Sequence, residues 1–312
     1  MGMVVRTNMG AINANNALTK NNSTVNKNIE KLSSGMRINR AADDASGLAI
    51  SEKMKAQIKA LDTATANAED GISLIQTAEG YMGEIHDMLN RMVELAEKSA
   101  NGTYDPTMID GTTQAVSDEE FGSAGVDRQA LQDEMNQLCS EIDRIANTAN
   151  FNNLKIMDGT LETDGLKLQI GETASSSDKL TVSVDSFKTN DLFGNSRITN
   201  LENNDKSATS GQTIDISNQD NASTAIAEIR GVINVVSSQR AELGAQQNRL
   251  EYTINNLTTA SENMSAANSR IRDTDMAKEM MKYTQGNVLT QAAQAMLAQA
   301  NQAPQGVLQL LQ

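Results

Sequence analysis

The chain has 312 residues, a formal net charge of −14, four Tyr, four Phe and no Trp. So few large aromatics argue against a deep globular core, and the acidity argues against nucleic acid as a partner. Two prolines favour long helices, while the lone Cys139 and lone His86 leave no intrachain disulfide and little to build a histidine metal site.

The first 42 residues run against the overall charge, with six Lys/Arg against the single acid Glu30. Their opening polar stretch lacks the apolar core of a cleavable secretory leader. Leu18, Val25, Ile29, Leu32 and Met36 follow 3–4 spacing and predict a helix. Residues 40–47, Arg-Ala-Ala-Asp-Asp-Ala-Ser-Gly, break that period, and their acids suit the start of a second helix. Ile72, Ile75, Met82, Ile85, Leu89 and Met92 carry the stripe onward until Asn101-Gly102 and Asp105-Pro106 end it. Residues 104–127, acidic and rich in Gly, Ser and Thr, read as a loop. Leu131, Met135, Leu138, Ile142 and Ile145 form the next stripe. After Asp158-Gly159 the period changes to two: Leu166, Leu168 and Ile170, then Leu180, Val182 and Val184, predict a β-hairpin. Residues 188–222 are polar and read as an exposed connection.

The strongest periodicity follows. Ile229, Val236, Leu243, Leu250, Leu257, Met264 and Ile271 recur every seven residues, with companions Ile226, Ile233, Arg240, Gln247, Ile254, Ser261 and Asn268 three positions earlier. This is a coiled-coil seam on one helix roughly 70 Å long. The predicted class is mainly α: a long-helix coiled-coil bundle with paired N- and C-terminal helices and a small β-hairpin region.

Residues 283–312 carry no charge and include eight Gln. Their apolar side chains are Val288, Leu289, Met296, Leu297, Val307, Leu308, Leu310 and Leu311. Ordering thirty residues costs more conformational entropy than burying those side chains returns, so the tail is expected to be frayed alone and ordered by a partner. Gln interrupts it too often for a membrane span, and it has no basic face for lying on a bilayer; membrane insertion is not expected. No metal-binding helix, nucleophile elbow, phosphate loop or calcium loop occurs. No enzyme activity and no cofactor are expected.

Several sequence stretches closely resemble bacterial flagellin. In the first half they are residues 32–39 (Leu-Ser-Ser-Gly-Met-Arg-Ile-Asn), 43–50 (Asp-Asp-Ala-Ser-Gly-Leu-Ala-Ile), 67–73 (Asn-Ala-Glu-Asp-Gly-Ile-Ser) and 90–96 (Asn-Arg-Met-Val-Glu-Leu-Ala). In the second they are 240–251 (Arg-Ala-Glu-Leu-Gly-Ala-Gln-Gln-Asn-Arg-Leu-Glu), 269–273 (Ser-Arg-Ile-Arg-Asp) and 295–302 (Ala-Met-Leu-Ala-Gln-Ala-Asn-Gln). The resemblance implies a non-enzymatic homopolymer, the extracellular filament of the bacterial flagellum, exported unfolded through a type III apparatus and ordered at its ends on assembly. A hook–filament junction protein is the alternative.

The resemblance also implies an organisation. Residues 1–42 with 273–312 would form an inner coiled coil, and 43–187 with 222–272 a helical body with a hairpin near 151–187. The short connection 188–221 would stand in place of outer domains. Assembly would use Leu18, Val25, Ile29 and Leu32 with Val288, Leu289, Met296, Val307, Leu308 and Leu311. Implied partners are further copies of the chain, an export chaperone on the C-terminal segment, and hook-associated and cap proteins. The Toll-like receptor for flagellin would contact Arg91, Glu94, Leu95 and Glu134. One departure is the extra stretch of about twenty residues, roughly 106–125, after Asn-Gly-Thr.

Overall fold

A chain almost free of proline can run in very long helices, and this one does. The computed structural model describes residues 8–104, 126–163, 165–173, 175–193, 214–216 and 219–310, the last eight of these as backbone only. Helices α1 (Met9–Ser34), α2 (Ala45–Ala100), α3 (Val126–Thr148), α6 (Gln219–Arg272) and α7 (Met276–Leu310) dominate. Single turns α4 (Thr160–Thr163) and α5 (Thr189–Leu192) accompany strands β1 (Asn150–Phe151), β2 (Leu154–Lys155), β3 (Leu166–Gln169) and β4 (Lys179–Val182).

Local chemistry sets the helix ends. The side chain of Asn8 accepts a hydrogen bond from the Ala11 amide and caps α1, which stops at Gly35 in the left-handed region, φ 70°. At the start of α2 the Asp44 carboxylate accepts from the Gly47 amide at 2.9 Å, as the acids of residues 40–47 predict. Asp43 accepts from the Asn39 and Arg40 amides, and those bonds hold its carboxyl below the ordinary value. Asp275 does the same for α7 by accepting from the Lys278 amide at 3.1 Å.

The chain divides into two compact units, Met1–Ala60 with Thr259–Gln312, and Leu61–Thr258. The second unit holds a continuous apolar core from α2, α3, the strands and α6. On α6 the seven-residue seam is buried at Ile229, Val236, Leu243, Leu250 and Leu257, while its companion positions are half-buried. Toward the start of α6 the buried face widens to include Ala222, Ala225, Val232 and Gln239. Ion pairs Arg230–Glu97 and Arg240–Glu79 tie α6 to α2 in antiparallel sense.

The predicted hairpin is present. β3 and β4 pair antiparallel with Leu166 opposite Val182 and Leu168 opposite Leu180. It lies so close to α2 that a Cβ on Gly71 would stand 2.5 Å from Leu168 Cδ1. A second hairpin, β1–β2, is too short to show a period of two; Asn152 and Asn153 take the positive φ its turn needs.

The polar stretch after residue 187 is anchored at both ends. Phe187 just before it and Leu192 near its start are buried, as are Ile214 and Ile216 near its end, so these parts are not the exposed connection expected. The Gln132 amide holds the return point, donating to Ile214 O at 2.8 Å and accepting from the Ile216 amide at 2.7 Å. Residues 194–213 and the 106–125 stretch lie outside the described residues. Beside the latter, buried Arg128 donates to Ser99 O and Asn101 O, satisfying carbonyls at the end of α2.

Leu243→Ala removes a fully packed seam residue and is expected to destabilise the second unit by about 2–5 kcal/mol. Ile271→Ala, at a half-buried seam position, should cost less than half as much. Urea denaturation followed by circular dichroism checks the ranking.

Candidate functional site

The terminal helices of the first unit pair antiparallel, with contacts from Asn8 opposite Ala300 to Asn28 opposite Glu279, and the composition of their seam is unusual. On α7 the inward positions are Glu279, Tyr283, Gly286, Thr290, Ala293, Leu297 and Ala300, alternating by four and three. On α1 they are Ala11, Ala14, Leu18, Asn21, Val25, Asn28 and Leu32. This is coiled-coil spacing, filled with small and polar residues that let two backbones approach closely. Gly286 is buried, and a Cβ there would meet Val25 Cγ2 at 2.7 Å.

Polar contacts run down the pair as rungs. Asn21 Nδ2 donates to Gly286 O and Thr290 Oγ1, each at 3.1 Å. The carboxylate of Glu279, itself buried, accepts from Lys282 Nζ at 2.9 Å. With its amide nitrogen facing Glu279, buried Asn28 donates to Glu279 Oε1 at 3.1 Å and to Thr24 O at 3.2 Å. Asn8 Nδ2 donates to Ala300 O at 2.7 Å. Ala300 is four residues before Pro304, which also falls inside α7, against the expectation that long helices exclude proline. Proline has no N–H to offer the carbonyl four residues back; Asn8 supplies the missing donor.

Most of the large apolar side chains point elsewhere. Met281, Val288 and Met296 are 65%, 64% and 65% exposed, and Leu289, Met276, Met280, Met9, Ile12 and Ile29 are exposed too. Of the residues expected to serve assembly, Leu18, Val25 and Leu32 therefore lie in the seam. Ile29, Val288, Leu289 and Met296 lie on the outer faces. The side chains of Val307 and Leu308, and all of Leu311, are outside the described residues. The rung residues Asn8, Asn21, Asn28 and Gly286 escaped the sequence reading, which followed apolar residues; the seven-residue spacing of Asn21 and Asn28 was the available signal.

The second candidate surface lies on α2 and α3. Arg91 bridges Glu94 at 2.6 Å and Glu134 at 2.8 Å, and Lys98 reaches Glu94 at 2.9 Å. The hydrogen bond to Glu134, then that to Glu94, raises the Arg91 pKa. Lys98, then Arg91, lowers that of Glu94. Arg91 and Glu94 are exposed and Glu134 is half-exposed, so these three share one charged face. Leu95 does not join them: it is 0% exposed and packs in the core beneath. Half-buried Cys139 has its thiol pushed up to about 11, first by burial and then by Asp143, which makes it a poor nucleophile at neutral pH. Among the described residues no cluster of His, Cys, Asp or Glu could hold a metal ion, and no helix is long and apolar enough to cross a membrane.

Comparisons with known proteins agree at both ends. The family model described as the bacterial flagellin N-terminal helical region matches residues 5–162, and that of the C-terminal helical region matches residues 226–311. The chain is 46% identical to a flagellin of Bacillus subtilis, covering 99% of this chain and 100% of that one. It is 43% identical to a flagellar filament 33 kDa core protein of Treponema phagedenis, with the same coverage. A crystal structure of Bacillus cereus flagellin aligns at 27% identity with a TM-score of 0.42, covering 65% of this chain and 94% of that one.

Gly286→Val should separate α1 from α7 and cost the pair about 1–3 kcal/mol by overpacking. Thermal melts should show the loss in the terminal helices while the core of the second unit is unchanged. The charged face should respond to acid. Glu94 sits below its usual 4.5, so its ion pairs contribute above that value and are lost as pH falls through the lowered folded value. An NMR pH titration of the Arg91 side chain reads the change, which should be small because the pairs are exposed.

Proposed function

This chain belongs to the bacterial flagellin family, and we propose that it is a structural subunit of the flagellar filament whose terminal helices complete their packing only against neighbouring copies. One observation carries this reading: α1 and α7 spend mostly small and polar residues on each other and turn Met9, Ile12, Ile29, Met281, Val288, Leu289 and Met296 outward. Exposed apolar surface on that scale marks an interaction surface. A self-associating surface repeated along a helix suits a polymer rather than a closed dimer.

The names of the relatives favour a main filament subunit over a hook–filament junction protein. Extracellular location, export by the type III route, a chaperone on the C-terminal segment, and hook-associated and cap proteins as neighbours follow from the family reading. So does a structural rather than enzymatic role. For the Toll-like receptor for flagellin, the face of Arg91, Glu94 and Glu134 is the natural contact, with Leu95 holding that face from below.

Limited proteolysis tests the coupling of order to assembly. Monomers should be cut within residues 8–34 and 276–302, and filaments should be protected there. Equal protection in both states would overturn the reading. A chain ending at residue 287 should keep the second unit folded and soluble yet form no filaments by electron microscopy.

A further inference from the structure

A seam in which small and polar residues outnumber large ones such as Leu18, Leu32, Tyr283 and Leu297 poses a problem of register. Small residues such as Ala11, Ala14, Ala293 and Ala300 fit nearly as well after a slip of one heptad, so alignment falls to the polar rungs Asn21 and Asn28 and to the contacts at the two ends. The structure nevertheless holds one alignment, and each end of the pair carries a polar contact that a slip would break.

At one end the chain leaves α1 and crosses the junction between α6 and α7. Met36 and Asp273 form an isolated antiparallel bridge. The Arg37 amide donates to Arg272 O at 2.7 Å, and the Thr274 amide donates to Gly35 O at 2.9 Å. Arg37 Nη2 donates to Ile271 O at 2.5 Å. The last carbonyls of α6, which have no helical donor of their own, are thus satisfied by the crossing strand. Arg272 clamps the crossing, with Nη1 on Glu52 Oε1 at 2.6 Å and Nε on Met36 Sδ at 3.1 Å.

At the other end Asn8 does two things. Its Oδ1 accepts from the Ala11 amide at 3.0 Å and its Nδ2 donates to Ala300 O at 2.7 Å. Ala300 O is available because residue 304 is proline. A slip in either direction would leave the carbonyl of Ala300 without a donor, which is costly.

We propose that these two polar latches set the register of the α1–α7 pair, with Arg272 and Asn8 as its specificity-determining residues. The filament-subunit reading supplies the setting in which register matters, since a slipped pair would present its outward apolar side chains to the wrong neighbours. The pairing itself is a property of one chain.

Disulfide trapping tests this in the full chain, with Cys139→Ser as background. Ala14→Cys with Ala293→Cys has the spacing of the Asn21–Gly286 and Asn28–Glu279 contacts; Ala14→Cys with Ala300→Cys reports a slip of seven residues. Only the first pair should close in the parent, quickly in filaments and slowly in monomers, where the pair forms only transiently. Arg272→Gln should lower the ratio of first to second cross-link about tenfold, the effect of losing one charge-assisted hydrogen bond. Asn8→Asp keeps the cap of α1 and removes the donor to Ala300, and should lower the ratio similarly. Pro304→Ala restores the N–H inside α7, gives Ala300 O a helical donor in every alignment, and should by itself lower the ratio, with Asn8→Asp then adding little. An unchanged ratio in both latch variants overturns the proposal. So does loss of both cross-links together, which would mean that the latches hold the pair without selecting its alignment, or an unchanged ratio in Pro304→Ala. A parent chain that forms no filaments would count against the filament reading, while the cross-links in its monomers would still report on register.

Discussion

Close approach of two helix backbones at the chain ends is the constraint from which much of this molecule follows. A seam built on Gly286, Ala293 and Ala300 against Ala11, Ala14 and Val25 leaves room for only a few large side chains between the helices, Leu18, Leu32, Tyr283 and Leu297. Met281, Val288, Leu289 and Met296 are therefore displaced to the outer faces. Within the seam, polar rungs replace much of the apolar burial that ordinarily holds a coiled coil. A pair of that composition gains little from its own closure, and its remaining source of stabilisation is whatever covers the exposed apolar faces.

The second unit is organised in the opposite way. Its helices meet through Ile, Leu, Met and Val with little residual exposure, and the salt bridges Arg230–Glu97 and Arg240–Glu79 lie outside that core. Glutamine and arginine side chains secure the irregular segments, as Gln132 does at Ile214 and Ile216 and Arg128 at the end of α2. Burial of this kind needs no partner. The chain thus joins a body that carries its own core to ends that lack one, which is the division of labour a filament subunit requires.

Much of this was legible in the residues. The seven-residue recurrence from Ile229 names the buried positions of α6 through Leu257, because a helix that buries one face must repeat with its own turn. The alternation at Leu166–Ile170 and Leu180–Val184 foretells the hairpin for the equivalent reason in a strand. The Asn152–Asn153 hairpin was not legible, since two-residue strands have no period. Nor was the depth of Leu95: Arg91 is one helical turn away and Glu94 is the adjacent residue, and sequence spacing does not say where a charged face ends and the core begins.

The amino-acid sequence by itself determined the long helices, the change of period at the hairpin, the kinship with flagellins and the uncharged tail, because each rests on local propensity or on repeated residue types. Only the tertiary structure decided which face of that tail turns inward. Apolar content marked Val288, Leu289 and Met296 as packing residues, but the distance between two backbones is a property of the pair, and at close range Gly, Ala and Asn occupy the seam. It also showed why a proline can sit in α7: the donor that Pro304 lacks comes from Asn8, some three hundred residues away in sequence and beside it in space.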